Sequence, residues 1–119
     1  MDLTAKLQIK PGARLVILAA ADGAPTVTMA SVETVDAPDQ ADAVLAFVRT
    51  RADLDTLAAP AIEAALGDRL AWIAYPKAGK LGTDLNRDIL REALEAKGVQ
   101  PVRQVAVDEV WSALRFRPA

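Results

Sequence analysis

Residues 70–97, LAWIAYPKAGKLGTDLNRDILREALEAK, restrict the fold more than any other stretch. Leu70, Ala71, Trp72, Ile73, Ala74 and Tyr75 are apolar without interruption. A strand with one face in water alternates apolar and polar side chains. An unbroken run predicts a strand covered on both faces, as in a parallel sheet. Pro76 has no N–H to donate and is expected to stop the ladder. The loop Lys77-Ala78-Gly79-Lys80-Leu81-Gly82 follows, and Thr83 or Asp84 is the expected N-cap of a helix. Leu85, Ile89, Leu90, Ala93 and Leu94 recur at helical spacing, while Asn86, Arg87, Arg91, Glu92 and Glu95 fill most of the other face. Gly98 is placed to cap the C-terminus. Strand, loop and helix make the first half of a crossover unit.

The rest of the chain repeats this grammar. Residues 2–8 suit a short leading helix, with Leu3 and Leu7 four apart, and Lys10-Pro11-Gly12 is a turn signal. Arg14 to Ala19 form a second apolar run, and residues 20–25 its loop. Residues 26–31 lean towards strand through their β-branched members, and residues 32–35 suit a short strand. Ala43, Val44, Leu45, Ala46, Phe47 and Val48 form a third buried run. Residues 52–66 read as helix, with Leu54, Leu57, Ile62, Ala65 and Leu66 inward and a break or fresh start at Pro60. Pro101 marks the next strand, residues 102–107. Asp108 and Glu109 connect it tightly to residues 110–117, where Val110, Ser112, Leu114 and Phe116 alternate with Trp111, Ala113, Arg115 and Arg117. Two extended runs so joined predict an antiparallel hairpin, with a bulge compatible with a turn that lacks Asn-Gly. All 119 residues fit one domain. With 25 alanines against two Phe, two Trp and one Tyr, the core must rest on Val, Leu and Ile.

Several chemistries are excluded by what the sequence lacks. There is no cysteine and no histidine, so disulfides, the common zinc sites and Ser-His or Cys-His nucleophile pairs cannot be built. No metal is expected. Acid–base work would fall to Asp, Glu, Lys or Tyr75. The net charge of −2 comes with acids and bases mixed along the chain, so nucleic acid is not an expected partner. No apolar run approaches the ~20 residues of a membrane span, and no signal-peptide pattern is visible. A reducing cytoplasm is the expected setting.

Strands alternating with helices predict a three-layer α/β fold. The expected sheet has six strands, mostly parallel, in the order 2-1-3-4-6-5, with the closing strand antiparallel. An antiparallel hairpin closing a parallel sheet resembles the end of the class I methyltransferase fold, and implies a shortened methyltransferase-like or Rossmann-like domain. Such enzymes carry a glycine-rich loop after strand one. Here the loop is Ala20-Ala21-Asp22-Gly23-Ala24-Pro25, so S-adenosylmethionine is not expected to bind, and no cofactor is assigned. Lys10-Pro11-Gly12, Pro76-Lys77-Ala78-Gly79, Val107-Asp108 and Trp111-Ser112 resemble a family of short bacterial α/β proteins catalogued as a domain of unknown function. That resemblance implies a fold and a bacterial source, and brings no functional residue with it.

In open α/β sheets ligands gather outside the carboxyl ends of the strands. Asp22, Asp36, Arg49, Thr50 and Arg51 lie there, as do Lys77, Lys80, Gly82, Thr83, Asp84, Asp108, Glu109, Trp111 and Ser112. The candidate ligand edge is Lys77, Lys80, Gly82, Thr83, Asp108, Trp111 and Ser112. Its centre is the loop from Pro76 to Thr83, where two lysines and two glycines lead into a helix N-terminus and favour an anion. Asp108 is alternatively a structural partner of Lys77, and Trp111 a core or interface residue. Three roles follow: a non-catalytic domain binding a small anion or a protein partner, an enzyme with a degenerate methyltransferase-like site, and a structural oligomerising domain. A homodimer is compatible with each.

Overall fold

The unbroken apolar runs become the middle of one sheet. The computed structural model describes residues 6–10, 12–18, 33–35, 40–56, 58–77 and 79–119. Strands β1 (Arg14–Leu18), β2 (Glu33–Thr34), β3 (Ala43–Phe47), β4 (Leu70–Pro76), β5 (Val99–Ala106) and β6 (Trp111–Pro118) lie side by side in the order β2-β1-β3-β4-β6-β5. This is the neighbour order expected. The strand count and the direction need correction. Five strands have five residues or more, and β2 is a two-residue pairing at the edge. The sheet is mixed rather than mostly parallel. β1–β2, β1–β3 and β3–β4 are parallel, but the long β5 and β6 make the antiparallel ladders the more extensive ones. Most of residues 2–8 and the segments 19–32 and 36–39 lie outside the described residues, and with them Asp22, Asp36 and the loop after β1.

The three described helices are α1 (Arg51–Thr56), α2 (Ala59–Leu66) and α3 (Arg87–Glu95). They pack on one face of the sheet. Leu54, Ala61, Ile62, Ala64, Ala65, Leu90 and Leu94 meet Val44, Ala46, Ile73, Tyr75, Leu114 and Phe116 there. On the other face, Leu45, Phe47, Trp72, Trp111 and Ala113 are covered among the described residues by Leu7 and Ile9 of the leading segment. Trp72 has 0% exposure, as a strand covered on both sides requires. No described helix is long and apolar enough to cross a membrane.

Local chemistry sets the element ends. Asp53 Oδ2 accepts from the N–H groups of Arg49 (2.9 Å) and Thr50 (3.1 Å), while Thr50 Oγ1 accepts from Asp53 N (3.2 Å), which satisfies the free donors that open α1. Pro60 falls in the first turn of α2, where a missing N–H costs nothing. Leu66, expected inside, is 50% exposed at the end of α2, and Leu57 lies outside the described residues. Helix α3 starts later than expected. Its N-cap is Asn86, whose Oδ1 accepts from Ile89 N at 2.8 Å. Thr83 and Asp84 are occupied elsewhere. Thr83 Oγ1 donates to the Arg49 carbonyl and accepts from Leu85 N, and Asp84 Oδ1 accepts from Arg51 N at 2.9 Å. Both residues lace the loop to the β3–α1 corner.

Two prolines depart from expectation. Pro76 is the last residue of β4, paired with Trp111, rather than the residue after the strand. Pro101 lies inside β5, which begins at Val99. β5 is an edge strand, and its register shifts between Pro101 and Arg103, so the missing donor falls where the ladder is already interrupted. The hairpin carries the anticipated irregularity: the N–H groups of Val107 and Asp108 both donate to the Trp111 carbonyl.

Candidate functional site

Tyr75 on β4 and Ser112 on β6 are directly paired, so their side chains stand together on the helix-covered face of the sheet. Gln104 of β5 is opposite Leu114, one step further along the same face. Helix α3 brings its first turn over them. Tyr75, Lys77, Asn86, Arg87, Asp88, Gln104 and Ser112 line one groove of about 630 Å³ at the carboxyl end of β4.

Two hydroxyls define its floor. Tyr75 is 3% exposed and Ser112 is 5% exposed, yet neither side chain makes a hydrogen bond among the described residues. Burial raises the Tyr75 pKa above its usual value, an effect that nearby Arg87 opposes and Asp88 reinforces. The phenol therefore stays protonated at neutral pH and remains a donor. Above the floor, the N–H groups of Arg87 and Asp88 open α3 and have no carbonyl four residues back within the helix to receive them. The cations Lys77 and Arg87 face one carboxylate, Asp88, whose charge is shared with Arg91 at 3.7 Å. Donors and positive potential converge on one space. No cluster of three or more potential metal ligands occurs among the described residues.

The structure divides the candidate edge. Lys77 and Ser112 line the groove. Lys77 Nζ donates to the backbone carbonyl of Asp108 at 2.9 Å, so the expected partnership of these two residues exists but does not use the carboxylate. Asp108 Oδ1 instead accepts from Val110 N and Trp111 N, both at 2.7 Å, and shapes the hairpin turn. Trp111 is 2% exposed and belongs to the opposite face, edge-on to Phe47, as its core reading anticipates. Lys80 and Gly82 lie in an exposed 3-10 turn outside the groove, and Thr83 serves the β3–α1 corner. Sequence reasoning left Asn86, Arg87, Asp88 and Gln104 out of the candidate edge. An N-cap placed at Asn86 would have brought Arg87 and Asp88 to the helix start, and with them the anion-attracting end.

No family model matches this chain, and no curated protein does. Among solved structures, the fold is similar to that of the B. subtilis M1A22 tRNA methyltransferase TrmK. The TM-score is 0.55 at 10% sequence identity, over 99% of this chain and 65% of that one. The fold is methyltransferase-like. At such identity the likeness is one of fold alone, and no residue role passes from that enzyme to this chain. This chain spans 65% of the length of the structure it matches.

Proposed function

We propose that this methyltransferase-like domain binds a small oxyanion-bearing ligand in the groove between β4, β6 and the start of α3, and that binding rather than catalysis is its role. The observation that carries this reading is the pair of hydroxyls on Tyr75 and Ser112, which open into the groove from largely buried side chains and have no hydrogen-bond partner among the described residues. Two hydroxyls side by side at the floor can both donate to one acceptor oxygen in the groove, and hydrogen bonds to a charged acceptor are the stronger kind. The helix end, Lys77 and Arg87 favour an acceptor that carries negative charge. Phosphate is the simplest probe. It is expected to raise the melting temperature beyond chloride at equal ionic strength, because a ligand bound only by the folded state stabilises it. Kosmotropic anions also stabilise proteins by exclusion from the surface, so variants decide the matter. A Lys77→Ala, Arg87→Ala double variant should lose the extra response to phosphate, and Lys80→Ala should keep it. Equal responses in the wild type and the double variant would overturn the proposal.

The shared fold favours a second reading, an enzyme with a degenerate methyltransferase-like site. The segment Ala20-Ala21-Asp22-Gly23-Ala24-Pro25 holds one glycine where close backbone approach to that cofactor is needed. S-adenosylmethionine is accordingly expected not to bind at physiological concentration. A micromolar dissociation constant by calorimetry would put the enzymatic reading first.

A further inference from the structure

A second cavity lies at the opposite end of the sheet. It measures about 390 Å³ and opens at the amino ends of β3 and β4, beside the leading segment. Ile9, Ala13, Ala43 and Leu70 give it apolar walls, and Lys10, Arg115, Gln8 and Asp42 stand around them. The charges are not balanced within the cavity. Asp42 Oδ2 accepts from Arg14 N at 2.9 Å and faces Arg14 Nε at 3.7 Å, so its charge is directed to Arg14. Lys10 and Arg115 have no carboxylate partner among the described residues.

Arg115 is held in place. Its Nη1 donates to Gln8 Oε1 at 2.9 Å, across a sequence separation of 107 residues. Gln8 does this from a backbone φ of 61°, the left-handed region that a side-chain-bearing residue rarely adopts. Residues held in such conformations cluster at ligand sites, where the surroundings over-determine them. The Arg115 Nε is buried and makes no hydrogen bond, so part of the guanidinium's donor capacity is unmet. An apolar-walled chamber whose rim carries two cations without a carboxylate partner among the described residues, and one carboxylate turned to Arg14, favours an anionic guest.

We propose that this cavity binds a small organic monocarboxylate with an apolar body, its carboxylate between Arg115 and Lys10 and its body against Ile9, Ala43 and Leu70. A carboxylate matches the planar guanidinium fork, and the charge-assisted bonds supply the specificity. The site is independent of the groove at the other end of the sheet, and phosphate, which has no apolar body, is a poor match for it.

Benzoate is the test probe, with benzamide, benzylamine and acetate as controls that remove the charge, reverse it or remove the ring. Titration followed by amide NMR should show saturable shifts at Ile9, Ala43 and Leu70 with benzoate, and much weaker binding of all three controls. Arg115→Met should weaken benzoate by about tenfold or more, the loss of one charge-assisted pair. Should that variant fail to fold, Gln8→Gly separates the roles. It relieves the left-handed backbone and should melt at or above the wild type, yet it frees Arg115 and should still weaken benzoate. Equal binding of benzoate and benzamide would overturn the proposal, as would no saturable shift. A folded Arg115→Met or Gln8→Gly protein that binds benzoate as the wild type does would overturn it equally.

Discussion

Trp72→Ala is expected to destabilise the protein by ~3–5 kcal/mol in urea unfolding, the range for removing a large aromatic side chain from a core. Trp72 sits midway along β4 with no exposed surface, and lies over the sheet face that Leu7 and Ile9 cover. Its indole Nε1 donates to the Leu7 carbonyl at 2.9 Å, which joins residues 65 apart in sequence. Truncation opens a void and also strands that buried carbonyl, and the two costs add. Trp72→Phe keeps much of the ring packing and loses the hydrogen bond, so its smaller effect isolates the second cost. A loss below about 1 kcal/mol for Trp72→Ala would place the side chain near solvent and contradict the double coverage of β4.

Trp111→Ala is expected to cost a comparable ~3–5 kcal/mol while leaving the response to phosphate unchanged. Its ring meets Phe47 edge-on, with centroids 5.3 Å apart and planes at 79°, a geometry that adds ~0.5–1.5 kcal/mol to area burial. The side chain points away from the groove, into the same cluster as Trp72. Removing both tryptophans should therefore give less, or more, than the sum of the single losses, because the two share neighbours. A stacking role in ligand binding would produce the reverse pattern: a small change in the unfolding midpoint and a lost phosphate effect.

Much of the architecture was legible because it is written in hydrophobic pattern. Uninterrupted runs at Val44 to Phe47 and Ala71 to Tyr75 mark strands covered on both faces, and both are buried throughout. The alternation in β6 assigns Leu114 and Phe116 to one core cluster and Trp111 and Ala113 to the other, as the pleat demands. What escaped depends on partners distant in sequence. Thr83 and Asp84 have the chemistry of an N-cap, but Arg49 and Arg51, more than thirty residues earlier, claim them. Trp111 and Ser112 are neighbours in sequence and face opposite ways, so of the two only Ser112 lines the groove, and Trp111 takes the core place that was its alternative reading. The groove itself was partly visible in Lys77 and Ser112. Its other walls come from Arg87, which a correctly placed N-cap would have revealed, and from Gln104, which only the sheet order brings near Tyr75.

The position of β6 bears on how the chain is made. β6 follows β5 in sequence but lies between β5 and β4 in the sheet. While a nascent chain is still short of Trp111, the β6-facing side of β4 has no partner, and β5 has nothing to join. An apolar strand edge open in this way is a template for pairing with other chains. Sheet completion is thus deferred until β6 is available, and until then the open edge of β4 is where a partly folded chain is exposed to pairing with another.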